Sequence, residues 1–195
     1  MKIGVLALQG AFREHHRMFS ELGAETVLVK LQSHLQGLDG LVIPGGESTS
    51  IGKLLREYEL IDPIRTLVEQ GLPVFGTCAG MIVMAKTIAG GEDSHLGIMD
   101  VEVSRNSFGR QKDSFETDLD IPVLGEEPFP AVFIRAPHIA GVGEDVTVLS
   151  RYQDRVVAVQ QDNLLALSFH PELTNDNRLH AYFVQMIEKS GYRGK

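Results

Sequence analysis

The sequence predicts an α/β fold: a mostly parallel central sheet flanked by helices, with an additional antiparallel strand region. Three observations predict it. In the first half of the chain, short apolar runs of β-favouring residues alternate with amphipathic helical patterns, an order that builds a parallel sheet covered on both faces. From about Gly97 to Leu167, strand-like runs follow one another with turn signals and no long helical pattern, which points to antiparallel pairing. The 195 residues are 43% hydrophobic, enough for one sizeable core, so residues 1–195 are expected to form a single domain.

The elements follow in chain order. "KIGVLAL" reads as a buried first strand; its apolar run of about six residues falls short of the roughly 7–15 of a signal-peptide core. Phe12 to Leu22 reads as a helix with Phe12, His16, Phe19 and Leu22 on one face. "ETVLV" and "GLVIPGG" supply two more strands. A helical stretch from about Ile51 to Tyr58 continues into "IDPIRTLVEQG", where Gly71 suits a helix C-cap. "LPVFGT" is a fourth strand, followed by a helix from about Ala79 to Ile88. "GIMDVEVSR", "SFETDL", "AVFIRAP", "VTVLSRY", "RVVAVQQ" and "LLALSF" form the strand-rich region. "NRLHAYFVQMIEKSG" closes the chain as a helix that Gly191 can cap.

Charge and cysteine usage narrow the function. A net charge of −8 argues against nonspecific binding to nucleic acid or to an acidic membrane surface, since both need a cationic face. No run approaches the roughly 20 apolar residues of a membrane span. A single cysteine forms no intramolecular disulfide, which fits a reducing compartment. A soluble, cytoplasmic protein is expected.

That cysteine sits in "FGTCAG", where a strand runs into Gly76, turns at Cys78 and opens a helix near Ala79. The pattern is a nucleophile elbow with sulfur in place of oxygen. Flanking glycines relieve the clashes of a tight turn, the helix N-terminus favours a thiolate, and the Ala79 amide points where an oxyanion would form. The alternative is a buried cysteine that only fills a strand-to-helix bend, and a base nearby decides between the two. Of the seven histidines, His15, His16 and His180 fall on predicted helices and His34, His95 and His138 in loops; most read as surface or satisfied polar residues. None shows metal-ligand spacing with acidic neighbours, so neither a metal nor another cofactor is expected. His170 differs. It follows the apolar run "LLALSF" in "SFHPE", with Glu172 two residues on, and in extended chain both side chains face the same way. Triad logic makes Cys78 the nucleophile, His170 the base and Glu172 the group that orients the imidazole. The "PGGES" loop at Pro44–Ser48 brings backbone amides close to a ligand, with Ser48 as the N-cap of the next helix.

These motifs together resemble the triad glutamine amidotransferases, which carry a "PGG" loop, a G-x-C-x-G elbow and a late "HPE". "LALQGAFREHH", "IPGGEST", "RNSFGRQKDSFE", "FIRAP" and "SFHPEL" narrow the resemblance to the glutaminase subunits of pyridoxal 5′-phosphate synthase, over essentially the whole chain. The resemblance implies a class I glutamine amidotransferase-like, flavodoxin-like fold. It also implies hydrolysis of L-glutamine to glutamate and ammonia for a synthase subunit that combines ammonia with a pentose phosphate and a triose phosphate. It maps Cys78, His170 and Glu172 onto the triad, and Gly46, Glu47, Ser48, Arg105, Ile134 and Arg135 onto glutamine-binding positions. Gly46 joins Ala79 as an expected oxyanion donor, and Gln9 and Gly10 are candidate partner contacts. One Cys-His-Glu domain uses up the chain, so an ammonia acceptor in trans is expected. The same triad would also serve a cysteine peptidase or esterase, and a purely regulatory binding domain would make Cys78 dispensable.

Overall fold

The computed structural model describes residues 1–105, 108 and 114–194. The chain runs β1 (Lys2–Leu6), α1 (Phe12–Glu21), β2 (Glu25–Val29), β3 (Gly40–Ile43), α2 (Ser48–Glu57), α3 (Ile61–Glu69), β4 (Val74–Thr77), α4 (Ala79–Met84), β5 (Ala85–Ile88), β6 (Met99–Ser104), β7 (Ser114–Leu119), β8 (Phe129–Ile134), β9 (His138–Val142), β10 (Thr147–Tyr152), β11 (Arg155–Gln161), β12 (Leu164–Leu167) and α5 (Arg178–Ser190).

The main sheet has the order β2-β1-β3-β4-β12-β11-β9-β6-β5, with β10 on β11, and β7 and β8 form a separate hairpin pair. From β2 to β12 every pairing is parallel. From β12 through β11 and β9 to β6 the pairing is antiparallel, as it is in β10–β11 and β7–β8. The expected parallel half and antiparallel region are therefore both present, joined at β12. Alternation along the strands divides the core between two faces. Leu41, Ile43 and Val74 pack with the α2 and α4 side chains Ile51 and Met81, whereas Val42 and Phe75 pack opposite with Phe19, Phe183 and Ile187 of α1 and α5.

Several local expectations are corrected. The helix after Cys78 ends at Met84, because Ala85–Ile88 pairs as β5 alongside β6; a strand partner outweighs a helical pattern carrying β-branched Thr87 and Ile88. Helix α1 buries His15, Met18 and Phe19 rather than His16. The stretch from Ile51 onward is two helices, broken where Glu59 enters the left-handed region at φ 53. His138 opens a strand instead of lying in a loop. Gly71 (φ 101) and Gly191 (φ 69) are left-handed just past α3 and α5, as a C-terminal glycine should be. Among the described residues no helix is long and apolar enough to cross a membrane.

Candidate active site

Cys78 ends β4 with φ 51 and ψ −107 and leads into α4, a strained conformation for a residue with a β-carbon. Its amide is held by the Leu167 carbonyl at 2.8 Å, and Thr77 lies in register with Leu167 across the parallel β4–β12 pair. The flanking glycines are sterically required. A β-carbon on Gly80 would lie 2.0 Å from the Ile43 carbonyl oxygen, and one on Gly76 would lie 2.4 Å from Met84 Sδ.

His170 leaves the end of β12, the strand beside the elbow, and its Nδ1 lies 2.6 Å from Glu172 Oε1. The two residues do not meet through extended chain as expected: Pro171–Leu173 forms a 3₁₀ turn that folds Glu172 behind the imidazole. Glu172 is fully buried and His170 nearly so. Burial disfavours charge on His170, but hydrogen bonds with Cys78 and Glu172 and the negative charge of both outweigh it and raise the imidazole to about 10. His170 is therefore an imidazolium at neutral pH.

A cleft of about 490 Å³ brings together Cys78, Ala79 and His170 with Gly46, Glu47, Ser48, Arg105, Ile134, Arg135, Gln9 and Gly10. Of the site residues expected from sequence, Glu172 alone does not line it. The thiol lies 3.8 Å from the Ile134 carbonyl oxygen. Ser48 begins α2, but the cap is Glu47, whose carboxylate accepts from the amides of Thr49 (3.0 Å) and Ser50 (2.7 Å). A carboxylate reaches two helix-end amides at once, which a serine hydroxyl does not. Arg105 is tied to its surroundings: Nη1 lies 3.0 Å from Glu92 Oε2 and Nη2 3.6 Å from Glu47 Oε1, with further hydrogen bonds from Nη2 to the hydroxyls of Ser48 and Thr49. Arg135 is exposed, left-handed at φ 42, and makes no ion pair among the described residues. The rest of "RNSFGRQ", Arg105 and Phe108 aside, lies outside the described residues.

The "PGG" loop is laced to the β1–α1 loop. Ala11 N–H donates to the Gly45 carbonyl at 2.9 Å, and Glu47 N–H donates to Gln9 Oε1 at 2.8 Å. Gly10, at φ 99, approaches so closely that a β-carbon there would sit 1.9 Å from the Gly45 oxygen. Sequence reasoning missed His15 and His180. Both are fully buried, bonded to each other, and His15 lies against Glu172. The available signal was positional: His15 shares a helix face with Met18 and Phe19, and His180 with Phe183 and Ile187.

A parallel-sheet α/β fold with a strained cysteine after one strand and a histidine–glutamate pair after its neighbour is that of a glutamine amidotransferase. The chain belongs to the SNO glutamine amidotransferase family, whose model matches residues 5–189. Its curated relatives include the pyridoxal 5′-phosphate synthase subunit PdxT of Pelotomaculum thermopropionicum, 56% identical over the full length of both chains, and that of Niallia circulans, 59% identical over 97% of this chain and all of the relative. A solved glutamine amidotransferase, 52% identical, superposes with a TM-score of 0.91 over 95% of this chain and 98% of that one.

Proposed function

We propose that this chain hydrolyses L-glutamine to L-glutamate and ammonia through a Cys78–His170–Glu172 triad. The ammonia passes to the synthase subunit that makes pyridoxal 5′-phosphate from ribose 5-phosphate and glyceraldehyde 3-phosphate. On this reading residues 1–195 act as one glutaminase domain in the cytoplasm. The observation that carries the reading is the buried 2.6 Å contact between His170 and Glu172, with His170 lining the same cleft as Cys78 at its strained elbow.

The chemistry follows from this geometry. The Cys78 thiolate attacks the side-chain carboxamide carbon of glutamine, and the negative charge moves to the carboxamide oxygen, where the amides of Ala79 and Gly46 receive it. The His170 imidazolium protonates the nitrogen as the carbon–nitrogen bond breaks, releasing ammonia and leaving a thioester. His170, now neutral, takes a proton from water, whose oxygen attacks the thioester. Collapse expels the Cys78 sulfur, frees glutamate and returns the imidazolium–thiolate pair. Glu172 keeps the imidazole oriented and balances its charge throughout. Gly46, Glu47, Ser48 and Ile134, which line the cleft, hold the substrate, and Arg135 or Arg105 binds its α-carboxylate.

A diazo-ketone analogue of glutamine tests the proposal. One covalent adduct on the peptide containing Cys78, with loss of glutamine hydrolysis and no labelling of Cys78→Ser, is expected. Labelling elsewhere, or full activity in Cys78→Ser, refutes it.

A further inference from the structure

Behind the catalytic pair lies a buried polar group that the mechanism above does not use. His15 on α1, Thr77 on β4, Glu172 and His180 on α5 are all fully buried. His15 Nδ1 lies 2.9 Å from His180 Nε2, and His15 Nε2 lies 3.1 Å from Thr77 Oγ1. The same Nε2 is 3.5 Å from Glu172 Oε2, the carboxylate oxygen not engaged by His170. Among the described residues Glu172 Oε2 and His180 Nδ1 have no hydrogen-bond partner. Phe75 and Phe19 stand edge-on to the two rings, so the surroundings are apolar.

Which nitrogen carries each proton follows from these partners. Burial above all, with the charge of His170 adding to it, holds His15 well below the usual histidine value, and burial pushes His180 down to about 3. Each ring is neutral and has one N–H. With the proton on His15 Nδ1, a bare Nε2 would confront the Glu172 carboxylate, and His180 would be left with a buried Nδ1–H and no acceptor. In the opposite arrangement His180 Nε2–H donates to His15 Nδ1, and His15 Nε2–H is directed at Thr77 Oγ1 and Glu172 Oε2. Only acceptors are then left short of a partner, His180 Nδ1 and Glu172 Oε2, the latter facing the His15 N–H at 3.5 Å, and a buried bare acceptor is better tolerated than a buried bare donor.

We infer that His15 is a positioning residue of the triad: its Nε2–H, fixed in that tautomer by His180, steadies the Glu172 carboxylate that in turn orients His170. The inference rests on the glutaminase reading. At 3.5 Å the contact is long for a hydrogen bond and acts as an oriented dipole on a carboxylate in a dry interior, where such a dipole counts for more than in water. It also places the triad's acid against the helix that directly follows the Gln9–Gly10 loop.

The test is glutamine hydrolysis by the chain in complex with its synthase subunit, for His15→Gln and His15→Asn, each with Glu172 intact and with Glu172→Gln. Glutamine reaches the Nε2 position with an N–H, whereas asparagine reaches only the Nδ1 position and can still meet His180. His15→Asn should lower kcat about tenfold with KM nearly unchanged, the scale of one charge-assisted contact, and His15→Gln should restore most of the loss. In the Glu172→Gln background the two variants should have equal kcat, because the group through which His15 acts is gone. His180→Phe keeps His15 in place but removes the donor that sets its tautomer, and should also lower kcat at constant KM. Wild-type kcat in both His15→Asn and His180→Phe, or the same fractional loss in both backgrounds, overturns the inference. Failure of the wild type to hydrolyse glutamine, or unchanged kcat in Glu172→Gln, overturns the triad itself and this role with it.

Discussion

At Cys78 the backbone holds φ 51 because the sheet, the Leu167 carbonyl and two glycines leave it no other path, and the thiol is thereby set beside His170. The remaining control lies with Glu172. Glu172→Gln keeps the shape but can present an amide N–H where the imidazole expects an acceptor. We expect kcat to fall at least about 10²-fold with little loss of stability, an Asp→Asn exchange in a comparable triad costing about 10⁴-fold; steady-state kinetics and thermal unfolding check both parts. The raised value of His170, about 10, fixes a sign. A folded-state value above the unfolded one of about 6.5 stabilises the protein fully below about pH 6.5, and this contribution disappears as pH rises toward 10. The stability gap between wild type and His170→Gln should therefore be wider at about pH 6 than at about pH 9.5 in urea unfolding, and a gap independent of pH would show that the charge is not held. The two arginines separate as well. Arg135→Ala should raise KM for glutamine about 10- to 150-fold with an unchanged melting temperature. Arg105→Ala should also lower the melting temperature, because Arg105 braces Ser48, Thr49 and Glu92.

Helix α2 starts on the cleft loop itself, since Glu47 both caps it and lines the cleft. Slight burial works against the Glu47 carboxylate, but hydrogen bonds from Ser50 and Thr49 overcome this and lower the group to about 2. A depressed folded-state value means the cap is fully effective above about pH 4.5 and fails as pH falls toward 2. Glu47→Ala should cost about 1 kcal/mol near pH 7, the usual scale for a lost cap, and much less at about pH 3; chemical unfolding at the two values measures it. Short elements elsewhere obey their neighbours. Ala85–Ile88 carries a helical pattern yet forms β5, since β6 offers it a parallel partner.

Across the whole molecule, the cleft is assembled from loops at the ends of β1, β3, β4, β6, β8 and β12. The Gly45–Gly46 peptide has no side chain to hold it and is fixed through Ala11 N–H, while Gln9 holds the Glu47 amide. A synthase subunit that contacts Gln9 and Gly10 would therefore act on the peptide proposed to supply the second oxyanion donor. Glycine tolerates either orientation of that peptide, and one oxyanion donor is worth about 2.7–4 kcal/mol. Titrating the synthase subunit into this chain should raise kcat for glutamine hydrolysis about 10²-fold or more. Equal rates for the free and bound chain would mean that the oxyanion hole is complete without the partner.

The sequence by itself determined the parallel and antiparallel parts of the sheet, the elbow at Cys78 and the pairing of His170 with Glu172. Each of these depends on residues close together in the chain, where hydrophobic period and glycine placement act directly, although a 3₁₀ turn rather than the expected extended chain brings Glu172 to His170. Only the tertiary structure decided that His15, rather than its neighbour His16, turns inward, and that it meets His180, 165 positions away. It alone converted the end of a predicted helix into β5 and closed Arg105 onto Glu47 and Glu92. The physical reason is the same in every case. A buried polar group or an open strand edge takes its state from the partner that satisfies it, and those partners arrive from distant elements whose approach leaves no periodic trace in the chain.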